Sequence, residues 1–279
     1  MLGRVGGTRP GGILMPFRAL GAQVGNGIAG FSSASIDKPA TTFKGRQRFY
    51  KQAGVAQDDD GQFLVQLDGR QIRTPYGKPL KVINEALAIA LAHEWGRQGE
   101  LIEPSTMPLM TLACSAIDTT EVRRETIVEE LLRYLDTDTI FFPGHPDETE
   151  RKLARLQKDH WKPLVEWMEK TYGPVSVCHS IAIPPHPIET KVRVENYLLN
   201  VSAWRLTAIE SLASGCKSLT IPLAIDKGFI SSEDAITAAR VEEEHQIQVW
   251  GLVEGGHDVD RANLTVQVAA ASLFLEIAE

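Results

Sequence analysis

An α+β fold is predicted, with a small antiparallel β domain over residues 45–83 followed by a larger all-α domain over 84–279. Three observations predict it. Phe63, Val65 and Leu67 alternate with Leu64, Gln66 and Asp68, the two-residue period of a half-buried strand. Asp68-Gly69 follows at once, the dipeptide that a tight hairpin favours. After Asn84 the apolar residues recur at helical spacing and never return to alternation.

The elements follow in order. The run Tyr50 to Val55 is separated from Phe63 by the turn Asp58-Asp59-Asp60-Gly61. Beyond Asp68-Gly69 the chain returns through Gln71 to Thr74, turns again at Tyr76-Gly77-Lys78-Pro79, and closes with Leu80 and Val82. Asn84 is a good N-cap for a helix whose inner face is Leu87, Leu91 and Trp95, ending near Gly96 and Gly99. Pro104 and Pro108 bracket a loop before a short apolar helix from Leu109 to Ile117. Thr120 is expected to cap the next helix, in which Ile127, Val128, Leu131, Leu132 and Leu135 align. The stretch Phe142 to Pro146 is a break.

Asp147 opens a long helix with Leu153, Leu156, Trp161, Leu164 and Met168 inside, closed by Gly173-Pro174. Pro163 within it predicts a kink or a split. Pro184-Pro185-His186-Pro187 reads as a rigid linker. Helices are expected at about 189–214 and 218–227, with Gly215 as a C-cap. Ser231 and Asp234 resemble a capping box that opens a helix running to Trp250. A last helix fills about 259–277. No repeat of 20–50 residues is present.

The N-terminus has a different character. Residues 1–36 contain no acid, three arginines (Arg4, Arg9, Arg18), nine glycines and the close Phe31-Ser32-Ser33-Ala34-Ser35. That is the composition of a mitochondrial transit peptide, assigned to residues 1–40, and it points to the matrix. The remainder holds 26 basic against 36 acidic residues, a balance of −10. Such an acidic globule is a poor match for nucleic acid, which requires clustered lysine and arginine. No apolar run approaches the roughly 18 residues needed to span a bilayer. Cys114, Cys178 and Cys216 are odd in number and widely spaced, so they read as free thiols rather than as a disulfide framework.

Catalytic motifs are scarce. Gly215-Cys216-Lys217-Ser218 has the tail of a phosphate-binding loop but lacks glycine before the lysine and the upstream glycine. The seven histidines form no metal-ligand spacing, so no metal and no cofactor are expected. Two clusters stand above background. Tyr134-Leu135-Asp136-Thr137-Asp138 places acids at a helix C-terminus, where the macrodipole disfavours them, so an arginine or a loop amide should hold them. Glu242-Glu243-Glu244 lies in the helix ending at Trp250. On a helical wheel Ile236, Ala239, Ile247 and Trp250 form one stripe, with Glu243 near its middle and Glu242 at its edge. A carboxylate on an apolar face is costly unless paired, by an internal arginine or by a partner protein.

Several short pieces recur in one order. They are Arg48-Phe49-Tyr50-Lys51, Leu67-Asp68-Gly69-Arg70, Glu94-Trp95 with Gln98, and Met107-Pro108-Leu109. Ala116-Ile117-Asp118, Tyr134 to Asp138, Gln157 and Trp161-Lys162-Pro163-Leu164 continue the series. It ends with Glu242, Gln246, Trp250-Gly251, Glu254 and His257-Asp258. From Arg48 to the C-terminus the chain resembles the mitochondrial ATP synthase assembly chaperones that handle the F1 alpha subunit (assembly factor 2). The departure is Thr139-Ile140-Phe141-Phe142, where that family has a Cys- and Arg-containing run.

The resemblance implies a monomeric, non-enzymatic chaperone that shields the beta-facing surface of unassembled alpha subunit and releases it into the hexamer. It implies partner-binding roles for Glu242, Gln246, Trp250, Glu254 and Asp258, to which the helical wheel adds Glu243. Structural roles fall to Trp95, Asp68, Gly69, Asp118, Asp136 and Asp138. The rival expectation is a matrix enzyme with a site assembled from Asp118, Asp136, Asp138 and His160, and a third is a permanent subunit of a larger complex.

Overall fold

The computed structural model describes residues 46–144, 151–179 and 185–278. The predicted transit peptide and Asp147 lie outside the described residues. The β part begins with β1 (Arg46–Gln47). β2 (Ala53–Gln57) and β3 (Phe63–Leu67) pair antiparallel along their full length, Ala53 opposite Leu67 and Gln57 opposite Phe63. β4 (Arg70–Gln71) and β5 (Lys81–Val82) share the other edge of β3. Asp68 (φ 48°) and Gly69 (φ 77°) form the two-residue loop between β3 and β4, and positive φ at both positions is the type I′ geometry. The Asp68 carboxylate accepts the amides of Gln52 at 2.9 Å and Lys51 at 3.0 Å, which hold its carboxyl below the usual range.

α1 (Glu85–Gly96) is capped by Asn84, whose Oδ1 accepts the Ala86 amide at 2.8 Å. Its face of Leu87, Ala88, Leu91 and Trp95 is buried against β2 and β3. Trp95 meets the Tyr50 ring edge-on at 5.6 Å, and the Tyr50 hydroxyl donates to the Trp95 carbonyl at 2.6 Å. Sheet and helices share one hydrophobic core, and the described residues form one compact unit. β6 (Leu101–Ile102) returns to pair with β1. A two-residue ladder has no periodicity, so this second sheet leaves no trace in the sequence.

Beside Trp95, the half-buried Glu94 accepts the amides of Leu109 and Met110 at 2.8 Å each. It thereby caps α2 (Pro108–Ser115), whose own N-cap residue supplies no side-chain bond. Burial pushes the Glu94 carboxyl up to about 7, against the pull of the two amides. The folded chain therefore holds this proton at pH values where the unfolded chain has lost it. The resulting stability is complete below about pH 4.5 and is lost as pH rises through about 7. Urea midpoints measured between about pH 5 and about pH 8 should fall with rising pH, and less steeply in Glu94→Gln. Parallel profiles for the two proteins would count against this assignment.

Thr120 does not cap the next helix. It lies in a π-helical turn, Ala116–Thr120, fully buried, with its hydroxyl 2.6 Å from that of Thr207. α3 (Arg124–Asp136) starts with no side-chain cap. The hydroxyl reaches back to the Ser115 carbonyl at 3.2 Å and across the core to Thr207, instead of forward to the amides of α3.

α4 (Arg151–Tyr172) runs unbroken through Pro163, so the expected split is absent. Pro163 is exposed, and water can serve the carbonyl that loses its amide partner there. The expected helix over 189–214 is two helices, α5 (Ile188–Asn200) and α6 (Ala203–Cys216). Val201 is extended between them, and the Ser202 hydroxyl accepts the Arg205 amide at 3.1 Å to start α6. Gly215 is not the C-cap. The left-handed residue is Lys217 (φ 52°), and Gly215 sits in the last turn of α6.

α7 (Thr220–Asp226), α8 (Ser232–Ala239), α9 (Val241–Trp250) and α10 (His257–Ile277) complete the chain. α6 and α10 make the most extensive helix pair. Gly215 permits their approach, because a Cβ there would come within 2.9 Å of the Gln267 side chain. That amide is held by the Ser211 carbonyl at 2.7 Å. Cys114 and Cys216 are free thiols, and burial pushes both up to about 12, so both stay protonated. Among the described residues no helix is long and apolar enough to cross a membrane.

Candidate functional site

The predicted helix from Ser231 to Trp250 is broken at Arg240. The capping box is present, with the Ser231 hydroxyl accepting the Asp234 amide at 3.1 Å. At Arg240 the backbone leaves helical geometry (φ −110°, ψ 9°), ending α8 and starting α9. A wheel drawn through both helices therefore mixes two axes. Ile236 and Ala239 pack on the core, but α9 buries only Val241, and Trp250 is turned out to 79 % exposure.

The same Arg240 resolves the acidic triplet. Its guanidinium is buried and binds Glu243 Oε2 at 2.7 Å and Glu244 Oε1 at 3.1 Å. Losing either acid would weaken the compensation of a buried charge, which is costly. Glu243 is thus paired inside the chain. The signal was available, since Arg240 precedes the two acids at the i+3 and i+4 spacings that meet on one helical turn. Glu242 is exposed and accepts the Gln157 amide of α4 at 2.9 Å, while Gln157 Oε1 accepts the Gly144 amide at 2.9 Å.

The remaining candidates gather at the α9–α10 corner. Gln246, Glu254 and Asp258 are exposed, and none has a side-chain hydrogen bond or ion pair among the described residues. Trp250 is followed by exposed Leu252 and Val253 and preceded by exposed Val249. Gly251 (φ 89°) and Gly255 (φ 74°) let the chain turn here, and His257 Nδ1 accepts the Val253 amide at 3.2 Å to hold the turn. Between α9 and α10 lies an open cleft of about 470 Å³. The corner combines an apolar projection with carboxylates around it.

The scattered acids go to separate places. Asp118 accepts the Thr74 hydroxyl at 2.8 Å and the Tyr76 amide at 3.3 Å, joining the β part to the π turn. Asp136 pairs with Lys191 at 2.5 Å. Asp138 is fully buried, with Oδ1 accepting the Ile140 amide and Oδ2 accepting Ser218 Oγ at 2.8 Å, Leu219 N at 3.0 Å and Thr220 N at 2.9 Å. His160 lies near a different acid, Asp234. Among the described residues no three His, Cys, Asp or Glu side chains could hold a metal ion. At Asp136 the expected arginine is a lysine, Lys191, whereas at Asp138 the loop amides are those at the start of α7. His186 was missed as a structural residue. Its Nδ1 accepts the Ser176 amide and its Nε2 donates to the Leu135 carbonyl, both at 3.0 Å, and burial lowers its pKa, so it is a neutral pin.

A family model described as ATP12 chaperone protein matches residues 47–169. The mitochondrial protein atp12 of Schizosaccharomyces pombe is 32 % identical over 254 residues, covering 87 % of this chain and 86 % of its own length. The chain belongs to the ATP12 chaperone family. The resemblance to ATP synthase assembly chaperones drawn from the sequence is borne out at the level of the family. The mitochondrial protein ATP12 of Saccharomyces cerevisiae is 26 % identical over 272 residues, 82 % of this chain and 84 % of that protein. The crystal structure of Atp12 from Paracoccus denitrificans superposes with a TM-score of 0.76 at 28 % identity, covering 85 % of this chain and 100 % of that one. The Atu1473 protein of Agrobacterium tumefaciens gives the same TM-score and identity over 84 % of this chain and 86 % of its own. The predicted small antiparallel β part followed by a larger helical part is therefore also the ATP12 fold. The ATP12 model ends within α4 and does not reach the α9–α10 corner.

Proposed function

We propose that this ATP12-family chain is an assembly chaperone of mitochondrial ATP synthase acting in the matrix. It binds the unassembled F1 alpha subunit, covers the face that will meet the beta subunit, and releases it into the hexamer. It works as a monomer, with no cofactor and no catalytic step. The observation that carries this reading is the α9–α10 corner, where Trp250 stands 79 % exposed beside other apolar side chains and unpaired carboxylates. A contiguous exposed apolar patch marks an interaction surface, and tryptophan is a frequent anchor of binding energy. Carboxylates around it suit arginine or lysine on a client, which sets register and on-rate.

Glu243 is engaged by Arg240, so Glu242, Glu254 and Asp258 are the acids offered to a client, together with Gln246 and Trp250. Glu242→Lys is expected to weaken alpha-subunit binding about ten-fold or more, as is Trp250→Ala. Trp250→Ala should melt close to wild type, whereas Glu242→Lys also loses the acceptor of the buried Gln157 amide and should melt somewhat lower while remaining folded. Co-purification of tagged variants with alpha subunit reads the effect. Undiminished client recovery with both folded variants would remove this corner from the binding face.

A further inference from the structure

We infer that the cleft between α9 and α10 takes a segment of a partner chain in which aliphatic side chains lie next to arginine or lysine. This rests on reading the corner as the client-binding face, and names what that face selects. The cleft holds about 470 Å³ and its apolar lining is Ile247, Leu252, Ala262 and Val266. Val266 is 53 % exposed although it lies on a helix whose later turns are buried in the core. An apolar wall left open to water gains by receiving aliphatic groups.

The charge at the mouth is one-sided. Three ionised groups line the cleft, Glu244, Asp258 and Arg261. Glu244 is shared between buried Arg240 at 3.1 Å and Arg261 at 3.6 Å, so both cations are drawn to it. Asp258 has no side-chain hydrogen bond or ion pair among the described residues, and exposed Glu254 and Asp260 flank it. The unmatched charge is therefore negative. An acidic peptide, a nucleic acid or an anionic bilayer surface would be repelled, whereas a cation beside an aliphatic group meets both features at once. Gly251 and Gly255, both at positive φ, let the connection between the two walls turn.

The test uses the full chain and a fluorescein-labelled peptide of alternating leucine and arginine, followed by fluorescence anisotropy. Two control peptides replace arginine by glutamate, or leucine by serine. The protein variants are Val266→Asp in the lining, Asp258→Lys at the mouth, and Val122→Asp, an 83 % exposed valine elsewhere. The leucine–arginine peptide should bind wild type and Val122→Asp alike, and about ten-fold more weakly to each of the first two variants. Neither control peptide should bind comparably. Circular dichroism confirms folding of each variant, and Asp258→Lys carries the test if Val266→Asp does not fold. Equal affinity across all three variants, or equal binding of the serine or glutamate peptide, overturns the inference. Alpha-subunit capture run in parallel separates the two claims. Weak peptide binding but normal capture by Val266→Asp overturns the cleft as the client's seat and leaves the chaperone reading intact. Expected peptide behaviour with no capture by wild type supports the cleft and sinks the alpha-subunit reading.

Discussion

Trp95→Arg should abolish most of the folded protein. The indole is 3 % exposed, lies among Leu87, Ala88 and Leu91, and closes edge-on against Tyr50. The Tyr50 hydroxyl reaches the Trp95 carbonyl, so ring contact and backbone bond meet where the sheet rests on α1. Arginine would lose the packed ring and place a cation where no carboxylate compensates. Removing a large aromatic costs about 3–5 kcal/mol before the charge is counted, and burying an unpaired charge adds to it. Against a typical total of about 5–15 kcal/mol, that leaves little native population. Trp95→Phe separates the terms, because it keeps an aromatic ring without the charge and should cost clearly less. Urea midpoints and soluble yield read both variants. A wild-type midpoint for Trp95→Arg would mean that the sheet–helix core is wrongly assigned.

Asp138→Ala is the second large effect. One buried carboxylate accepts from Ile140, Ser218, Leu219 and Thr220, tying the end of α3 to the start of α7. Burial raises its pKa while the donors oppose that shift. Truncation leaves those donors without their acceptor in a region closed to water. At about 1–3 kcal/mol for each unsatisfied buried group, the total is several kcal/mol even after partial relaxation. Asp138→Asn should be intermediate. Its carbonyl oxygen can replace Oδ2 for three donors, but its NH2 then faces the Ile140 amide, donor against donor. Thermal unfolding should rank wild type above Asn and Asn above Ala. Equal stability of wild type and the alanine variant would contradict the latch.

The parts legible in the sequence were those where local chemistry and tertiary demand agree. Alternation in Phe63–Leu67, the Asp68-Gly69 turn, the Asn84 cap and the Ser231–Asp234 box all act over a few residues, and each stands in the structure. What escaped depended on distant groups. Thr120 looked like a cap until Thr207 met it across the core. Gly215 looked like a helix stop, but its use is set by Gln267, more than fifty residues away. β1 and β6 are too short to carry a period.

The candidate face shows the same division. The acidic triplet and Trp250 stand out in the sequence, yet a single wheel assigned their directions wrongly because Arg240 breaks the helix. The spacing from Arg240 pointed to Glu243 as an internal pair, but only the fold shows Asp258 exposed and without a side-chain ion pair among the described residues. The cleft lining draws Ile247 and Val266 from two helices, so no single window could have displayed it.

The central claim is that this chain covers the flank of an unassembled F1 alpha subunit until beta takes its place. Tagged protein should be recovered from matrix depleted of beta subunit and probed for alpha, then challenged with added beta. Alpha subunit accumulating on the chain and leaving when beta is supplied is the predicted result. Failure to recover alpha under depletion, with the tagged protein folded, would contradict it.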